Sequence, residues 1–173
     1  PPPPVWQSWC SDATAAPLFR LGWAPDLASS TILLRVRGRP AGAVSVGFAS
    51  TAQAMSPADV YVASVDCSNG GSVAVSDRTN SGYLVPSVDS TQAATVLSGS
   101  CTNGVMEVIF RRPFTTGDGV DVTLAAGAGV NVIWALHDTL SPLATHSATQ
   151  RGGSATPLVL VPLPGSCALK IGR

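Results

Sequence analysis

Short strand-like segments separated by turn signals run through most of this chain, and they constrain its fold more than any other feature. In STILLRVRG, Ile32, Leu34 and Val36 alternate with Arg35 and Arg37, the period of two expected of a half-buried strand. Similar segments, each ended by a turn-forming residue, are GAVSVGFAS, DVYVASVDC, GSVAVSDR, GYLVPS, AATVLSGSC, VMEVIFRRP, GVNVIWALHD and TPLVLVPLP. No segment carries a helical apolar stripe over three turns. The sequence therefore predicts an all-β fold, an antiparallel immunoglobulin-like β-sandwich of about ten strands.

The low charge of the chain limits the partners it can have. Charged residues make up 12% of the 173 residues, with ten basic and ten acidic side chains and no run of like charge. A nucleic acid or an anionic membrane would favour a basic face, so neither is expected as a partner. No apolar run approaches the roughly 18 residues that span a bilayer, so we expect no direct membrane insertion. A weakly charged, β-rich profile is typical of extracellular domains, and we expect a secreted monomer.

The chain divides into a short proline-rich segment and one domain. Residues 1–9 include the run PPPP, which indicates a linker or tail of polyproline II character. Residues 10–173 are long enough for a single all-β domain and contain no internal repeat. The stretch TLSPLATHSATQRGGS is predicted to be a polar loop between two late strands.

Four widely spaced cysteines indicate an oxidising compartment. Cys10, Cys67, Cys101 and Cys167 form no C-x-x-C pair and have no histidine at zinc-like spacing. An even count of this kind favours two disulfides. Three pairings are possible, and we favour Cys10–Cys167, which ties the two ends together, with Cys67–Cys101 joining two central strands.

The usual catalytic motifs are missing, so we expect a domain without catalytic residues of its own. His137 and His146 are the two histidines, and no G-x-S-x-G elbow accompanies them. The glycines of AAGAGVN lack the strand–loop–helix setting of a dinucleotide site. The aspartates fall near predicted strand ends and resemble turn formers more than a glycosidase pair, namely Asp59, Asp66, Asp77, Asp89, Asp118, Asp121 and Asp138.

One methionine and one histidine stand out because each lies in a loop of small residues. Met106 shares a strand face with Val108 and Phe110 and is predicted to be core, whereas Met55 lies among Ala, Ser, Thr and Gln, and His146 lies between Thr and Ser. Taken alone, either residue could be a gap-filling or surface side chain. Together, a thioether and an imidazole can ligate a haem iron from opposite faces. A Cys-x-x-Cys-His motif is absent, so such a haem would be held non-covalently.

The order of several motifs resembles a known family. The chain carries GFAS, then MSPADVYV, VSDR, GYLVP, VIFRRPF, VIWAL, and finally a loop histidine followed by RGG. Over about residues 18 to 162 this order is similar to DOMON domains, and more narrowly to the haem-binding cytochrome domains of cellobiose dehydrogenase and those joined to cytochrome b561. The more specific blocks are Met55 with Asp59, and Ile133-Trp134-Ala135 followed by His146.

The resemblance implies an electron-transfer domain with haem b as its cofactor. Met55 and His146 would be the axial ligands, and the partner would be a redox protein or a fused dehydrogenase or cytochrome b561 domain. His137, where family members often have Gly, is the alternative imidazole; strand parity places it at a strand end and favours His146. Candidate pocket walls are Phe48, Tyr83 and Trp134, although plain core packing would explain them equally well.

Two rival functions follow from the same family. Some relatives lack the ligand pair and are thought to bind sugars, so a haem-free module for carbohydrate or another small ligand is the alternative. A monooxygenase domain is the second rival, and it would need an open coordination site on its metal. Both candidate ligands are present in this chain, which favours the cytochrome.

Overall fold

The computed structural model describes residues 11–16, 19–39, 42–49, 55, 57–68, 71–82, 85–139, 146–147, 150–154 and 156–161. Within these ranges the chain forms twelve β-strands and no α-helix. It follows that the described part has no helix with the length and apolar character to cross a membrane. In chain order the strands are β1 Ser11–Ala16, β2 Phe19–Asp26, β3 Thr31–Gly38, β4 Ala43–Ala49, β5 Ala58–Val65, β6 Val73–Asn80, β7 Ser87–Val88, β8 Thr95–Thr102, β9 Val105–Pro113, β10 Gly129–His137, β11 Arg151–Gly153 and β12 Leu158–Val159.

The strands form two antiparallel sheets that pack as a sandwich. One sheet has the order β1-β2-β3-β9-β8, and the other has the order β11-β10-β4-β5-β6-β7 with β12 also paired to β10. All strand pairs are antiparallel. The predicted all-β antiparallel sandwich is therefore confirmed, with twelve strands where about ten were expected.

Alternation along the strands builds the core between the sheets. Ile32, Leu34 and Val36 are each 0% exposed, as their period of two predicts. On the outer face of the same strand, Arg35 and Arg37 both pair with Glu107 of β9, at 2.6 and 3.0 Å. Met106, Val108 and Phe110 lie in the core, which confirms the prediction for Met106.

Three strands were not predicted from the sequence. β1 and β2 precede the first predicted strand, and in β2 the pattern Phe19, Leu21 and Trp23 is buried although Gly22 and Pro25 interrupt its strand propensity. β11 lies inside the predicted polar loop and pairs with β10 through Gly152 opposite Trp134. Pairing with a neighbouring strand, rather than local propensity, makes these segments extended.

Two aspartates predicted to form turns are buried inside strands instead. Asp59 lies in β5 and Asp77 in β6, and they are 1% and 0% exposed. Burial is possible because Asp59 pairs with the Arg112 guanidinium at 2.8 Å and Asp77 accepts a bond from the Ala93 N–H. Other aspartates do form turns; Asp118, for example, accepts a bond from the Val120 N–H.

A disulfide joins the two sheets. Cys67 follows β5, Cys101 lies in β8, and their Cα atoms are 5.4 Å apart in the bonded pair. This pairing confirms one of the two expected disulfides. Cys10 and Cys167, the other expected pair, lie outside the described residues.

Candidate functional site

The outer face of the seven-stranded sheet is lined by small side chains. Strand alternation sends Val44, Val46 and Phe48 into the core and the residues between them to the opposite face. The neighbouring strands are in register, so this face continues across them. We call it the outer platform, and it comprises Ala43, Ser45, Gly47, Ala49, Ala58, Val60, Val62, Ile133, Ala135 and His137.

The outer platform is buried although it faces away from the core. An outward face of an antiparallel sheet is commonly solvated and polar, but here every residue of the platform except Ile133 is buried. At its centre is Gly47, where an added Cβ would lie 3.0 Å from Ile133 Cγ1 and 3.1 Å from Val60 Cγ2. A side chain at this position would therefore crowd Ile133 and Val60, which close over Gly47.

His137 stands at one end of the outer platform. It is 5% exposed, and its Nε2 atom lies 2.9 Å from the Ser45 hydroxyl oxygen on the neighbouring strand. This contact fixes the ring against the sheet. As the strand parity predicted, His137 lies on the face that carries Ile133 and Ala135.

His146 lies beside His137 and is half-buried. The two ring centroids are 5.8 Å apart and the ring planes are inclined at 60°. The Nδ1 atom of His146 is buried and has no hydrogen-bond partner among the described residues. Burial lowers the pKa of His146, and the neighbouring His137 and Arg151 lower it further. A lowered pKa favours the neutral imidazole, which is the form that binds a metal.

Met55 precedes β5, the strand that contributes Ala58, Val60 and Val62 to the outer platform. It is half-buried and leads into β5, which begins at Ala58. Ala58 pairs with Ala49, whereas His137 pairs with Ala43 at the opposite end of β4.

The predicted aromatic walls lie elsewhere or outside the described residues. Phe48 is fully buried in the core, 6.1 Å from the Tyr61 ring, and Trp134 stacks on Phe19 with a centroid separation of 5.0 Å. Both belong to the layer beneath the outer platform. Tyr83 is not among the described residues. A contact of any of the three with a cofactor stays a prediction.

Sequence reasoning missed the floor of this site, although a signal for it was present. In AVSVGFA the small residues Ala43, Ser45, Gly47 and Ala49 alternate with Val44, Val46 and Phe48. From the sequence, this alternation predicts a strand. The same alternation also gives the strand one bulky face and one small face. That feature points to a site only when both faces are known to be buried.

A family model and two solved structures resemble this chain. The model of the DOMON domain matches residues 17–137. The cytochrome b domain of pyranose dehydrogenase from Coprinopsis cinerea is 25% identical, with a TM-score of 0.52 over 79% of this chain and 75% of that one. The cytochrome domain of Myriococcum thermophilum cellobiose dehydrogenase is 19% identical, with a TM-score of 0.61 over 88% of this chain and 83% of that one.

The second solved structure supports the fold alone, because its sequence identity is low. Among curated proteins there is no significant sequence match. The family model covers well over half of the chain, and the sandwich has the architecture of its solved relatives. The chain therefore belongs to the DOMON domain family.

Proposed function

We propose that this chain is a b-type cytochrome domain that binds one non-covalent haem through Met55 and His146 and transfers single electrons. The observation that carries the proposal is the environment of His146: its imidazole is half-buried beside His137, and its Nδ1 atom has no hydrogen-bond partner among the described residues. The likeness to a cytochrome b domain at 25% identity supports the same function.

The donor set fits a haem iron. A methionine sulfur and a neutral imidazole nitrogen are a known axial pair, and the bound haem would supply the one-electron Fe(III)/Fe(II) chemistry. Met55, a soft donor, favours the ferrous iron and raises the potential relative to two imidazoles; axial ligands tune haem potentials over about 0.8 V. With both positions filled by protein there is no open site for O₂, which argues against the monooxygenase alternative.

Other residues would shape the site rather than bind the iron. The outer platform offers a largely apolar floor that excludes water, and Gly47 at its centre leaves room for the Ile133 and Val60 side chains. Ser45 holds His137 against the sheet at 2.9 Å, so His137 would act as a neighbour of the ligand. Phe48 and Trp134 would support the floor from beneath, and Tyr83 remains a candidate wall.

We also propose that the domain exchanges electrons with a redox partner. The related pyranose and cellobiose dehydrogenase structures are cytochrome domains of dehydrogenases. We therefore expect a redox partner, either a separate protein or a fused dehydrogenase or cytochrome b561 domain. We also propose that the protein is an extracellular monomer, in which residues 1–9 form a proline-rich segment and residues 10–173 form the domain. The Cys67–Cys101 disulfide is consistent with an oxidising compartment.

A visible spectrum of the purified protein tests the proposal first. The oxidised protein is expected to show a Soret band, and the reduced protein the sharp bands of a low-spin, six-coordinate haem. Neither form should bind CO or cyanide readily, because no coordination position is open. A colourless protein that takes up no haem would reject the cytochrome and favour the module for carbohydrate or another small ligand.

Paired substitutions test the ligands. His146→Ala is expected to lose haem or become high-spin and able to bind added imidazole, because an axial ligand is removed. His137→Ala should keep the low-spin spectrum and change the potential only slightly. The opposite result, with His137 essential and His146 dispensable, would assign the ligand to His137.

Met55→Leu and Met106→Leu form the second pair. Met55→Leu should alter the reduced spectrum and lower the potential, because the thioether is lost. Met106→Leu conserves volume in the core and should cost under about 1.5 kcal/mol without changing the spectrum. Identical spectra and potentials for the two variants would show that Met55 does not bind the iron.

A further inference from the structure

A second buried polar cluster lies on the other side of the seven-stranded sheet, inside the sandwich. Asp59 of β5, Asp77 of β6 and Asp121, in the segment between β9 and β10, each offer one carboxylate oxygen, and these three oxygens lie within 4.8 Å of one another. Asp59 and Asp77 are 1% and 0% exposed, and Asp121 is half-buried. Three carboxyl groups, which are strongly hydrated when ionised, therefore lie close together in a part of the protein with little access to water.

One guanidinium compensates only part of this charge. Arg112 Nη1 donates to Asp59 Oδ2 at 2.8 Å, while its Nη2 and Nε donate to the carbonyl oxygens of Val122 and Pro113. Three ionised carboxylates against one guanidinium leave two negative charges in excess. Burying such an excess is very unfavourable unless a cation or bound protons compensate it.

Two oxygens of the cluster have no partner. Asp59 Oδ1 and Asp77 Oδ1 accept no hydrogen bond from the described residues. The Asp121 carboxylate lies beside the Thr116 hydroxyl group, which favours its ionised form. The other oxygens of Asp59 and Asp77 are already used, by Arg112 and by the Ala93 N–H. Buried carboxylate oxygens are almost always satisfied, so the two unpaired oxygens require a donor or a cation that the described residues do not supply.

A fully buried tyrosine adds an independent observation. Tyr61 is 0% exposed, and its hydroxyl group has no hydrogen-bond partner among the described residues. Tyr61 is the cross-strand partner of Asp77, so both side chains enter the same part of the core. Burial raises the pKa of Tyr61, and the hydroxyl therefore stays protonated and can offer a neutral oxygen.

From this geometry we propose that Asp59, Asp77 and Asp121 form a binding site for one divalent cation, with calcium as the ion that fits. Calcium takes oxygen ligands at about 2.3–2.6 Å, so any two of its ligands lie at most about 4.6–5.2 Å apart, and three oxygens within 4.8 Å of one another are compatible with that limit. Magnesium needs about 2.0–2.1 Å, near-ideal octahedral geometry and several retained waters, which a largely dry core does not favour. The two excess negative charges match the charge of the ion.

Without a bound cation, burial favours the protonated form of these three acids. Burial raises the pKa of Asp59 to about 7, with the nearby Arg112 opposing the rise. Burial also raises the pKa of Asp77 to about 6 and raises that of Asp121. A bound cation would reverse this preference and keep the carboxylates ionised.

Calcium titration of the protein, after treatment with EDTA, tests the site. Calcium chloride is expected to raise the Tm saturably, and calorimetric titration should give one calcium per chain. Magnesium chloride, and sodium chloride at matched ionic strength, should produce a much smaller rise. The site does not depend on haem, so the test stands whatever the visible spectrum shows.

Asp121→Asn is the informative variant because Asp121 makes no ion pair with Arg112, so the variant should fold. It is expected to weaken calcium binding by at least about tenfold, since affinity follows the number of ligand charges. Asp118→Asn is the matched control: it lies three positions away in the same segment, and an amide oxygen can still accept its turn bond from Val120. Its calcium response should equal that of the unmodified protein.

Three results would overturn the proposal. They are a Tm that does not respond to calcium or EDTA, an equal response to magnesium or sodium, and equal losses in Asp121→Asn and Asp118→Asn. If calcium has no effect and Asp121→Asn alone raises the Tm, bound protons rather than a cation compensate the cluster.

Discussion

At the scale of single residues, Arg112 is the side chain on which most of the buried polar structure depends. It is 0% exposed, donates to three separate oxygen atoms, and lies 5.4 Å from the centroids of both the Phe48 and Tyr61 rings. The aromatic faces, the ion pair and the carbonyl oxygens together replace the water that a guanidinium would lose. These contacts come from β4, β5, β9 and the segment that follows β9.

Arg112→Met is therefore expected to destabilise the protein by about 3–5 kcal/mol, the usual cost of removing one partner of a buried ion pair. The loss should be smaller when Asp59→Asn is added, because the double variant leaves no unpaired charge on Asp59. Arg111→Met, at an exposed position of the same strand, should change the free energy of unfolding by under about 0.5 kcal/mol. Urea denaturation in EDTA measures all three, and similar losses in both single variants would contradict this account.

At the scale of the element, the three-residue strand β11 depends on a close backbone approach to β10. A Cβ at Gly152 would lie 2.8 to 2.9 Å from atoms of the Trp134 indole. That indole cannot retreat, because it stacks on Phe19 in the core with the ring planes 7° apart. Glycine at this position lets β11 pair with β10, and β11 follows the segment that carries His146.

We expect Gly152→Ala to cost about 1–3 kcal/mol, as overpacking against a fixed core side chain does. Gly119→Ala is the control, because an added Cβ there meets nothing within 4 Å and the backbone is not left-handed. It should be neutral or stabilise the protein by up to about 1 kcal/mol through the unfolded chain. Thermal unfolding compares the two, and hydrogen exchange should show faster opening of β11 in Gly152→Ala alone. If Gly152→Ala leaves the stability and the hydrogen exchange unchanged, β11 does not depend on the close approach of its backbone to Trp134.

At the scale of the whole molecule, the sandwich is held by its core and by one covalent link between its sheets. The interior faces of β3, β4, β5, β9 and β10 supply the buried aliphatic and aromatic side chains. The Cys67–Cys101 disulfide connects the end of β5 to β8, a separation of 34 residues. The core specifies the fold, whereas the disulfide acts chiefly by restricting the unfolded chain.

The double variant Cys67→Ser/Cys101→Ser is expected to keep its β-sheet circular dichroism and lose about 3–4 kcal/mol of unfolding free energy, the value for a loop of this length. Replacing both cysteines avoids a free thiol. Ser100 is an exposed neighbour of Cys101. The control variant Ser100→Ala should leave the free energy of unfolding nearly unchanged. Guanidinium denaturation under non-reducing conditions provides the measurement, and an unchanged midpoint for the double variant would contradict the stabilising role.

Much of the fold could be predicted from sequence because it follows from local alternation. The period of two in β3 and β9 fixed which residues enter the core, including Met106. The same parity placed His137 on the face of Ile133 and Ala135. Motif order was sufficient for the DOMON family, which residues 17–137 match. These features are properties of neighbouring residues, so the sequence by itself determined them.

The tertiary structure alone decided which distant residues meet. Asp59 and Arg112 are 53 positions apart. The sequence around either residue does not predict that the two will form an ion pair in the core. The aspartates resembled turn formers because a single strand does not reveal that a partner sheet covers it. β11 became a strand only because β10 was available to pair with it. Contacts across sheets depend on register and layer packing, and these are set when the whole chain buries its apolar faces together.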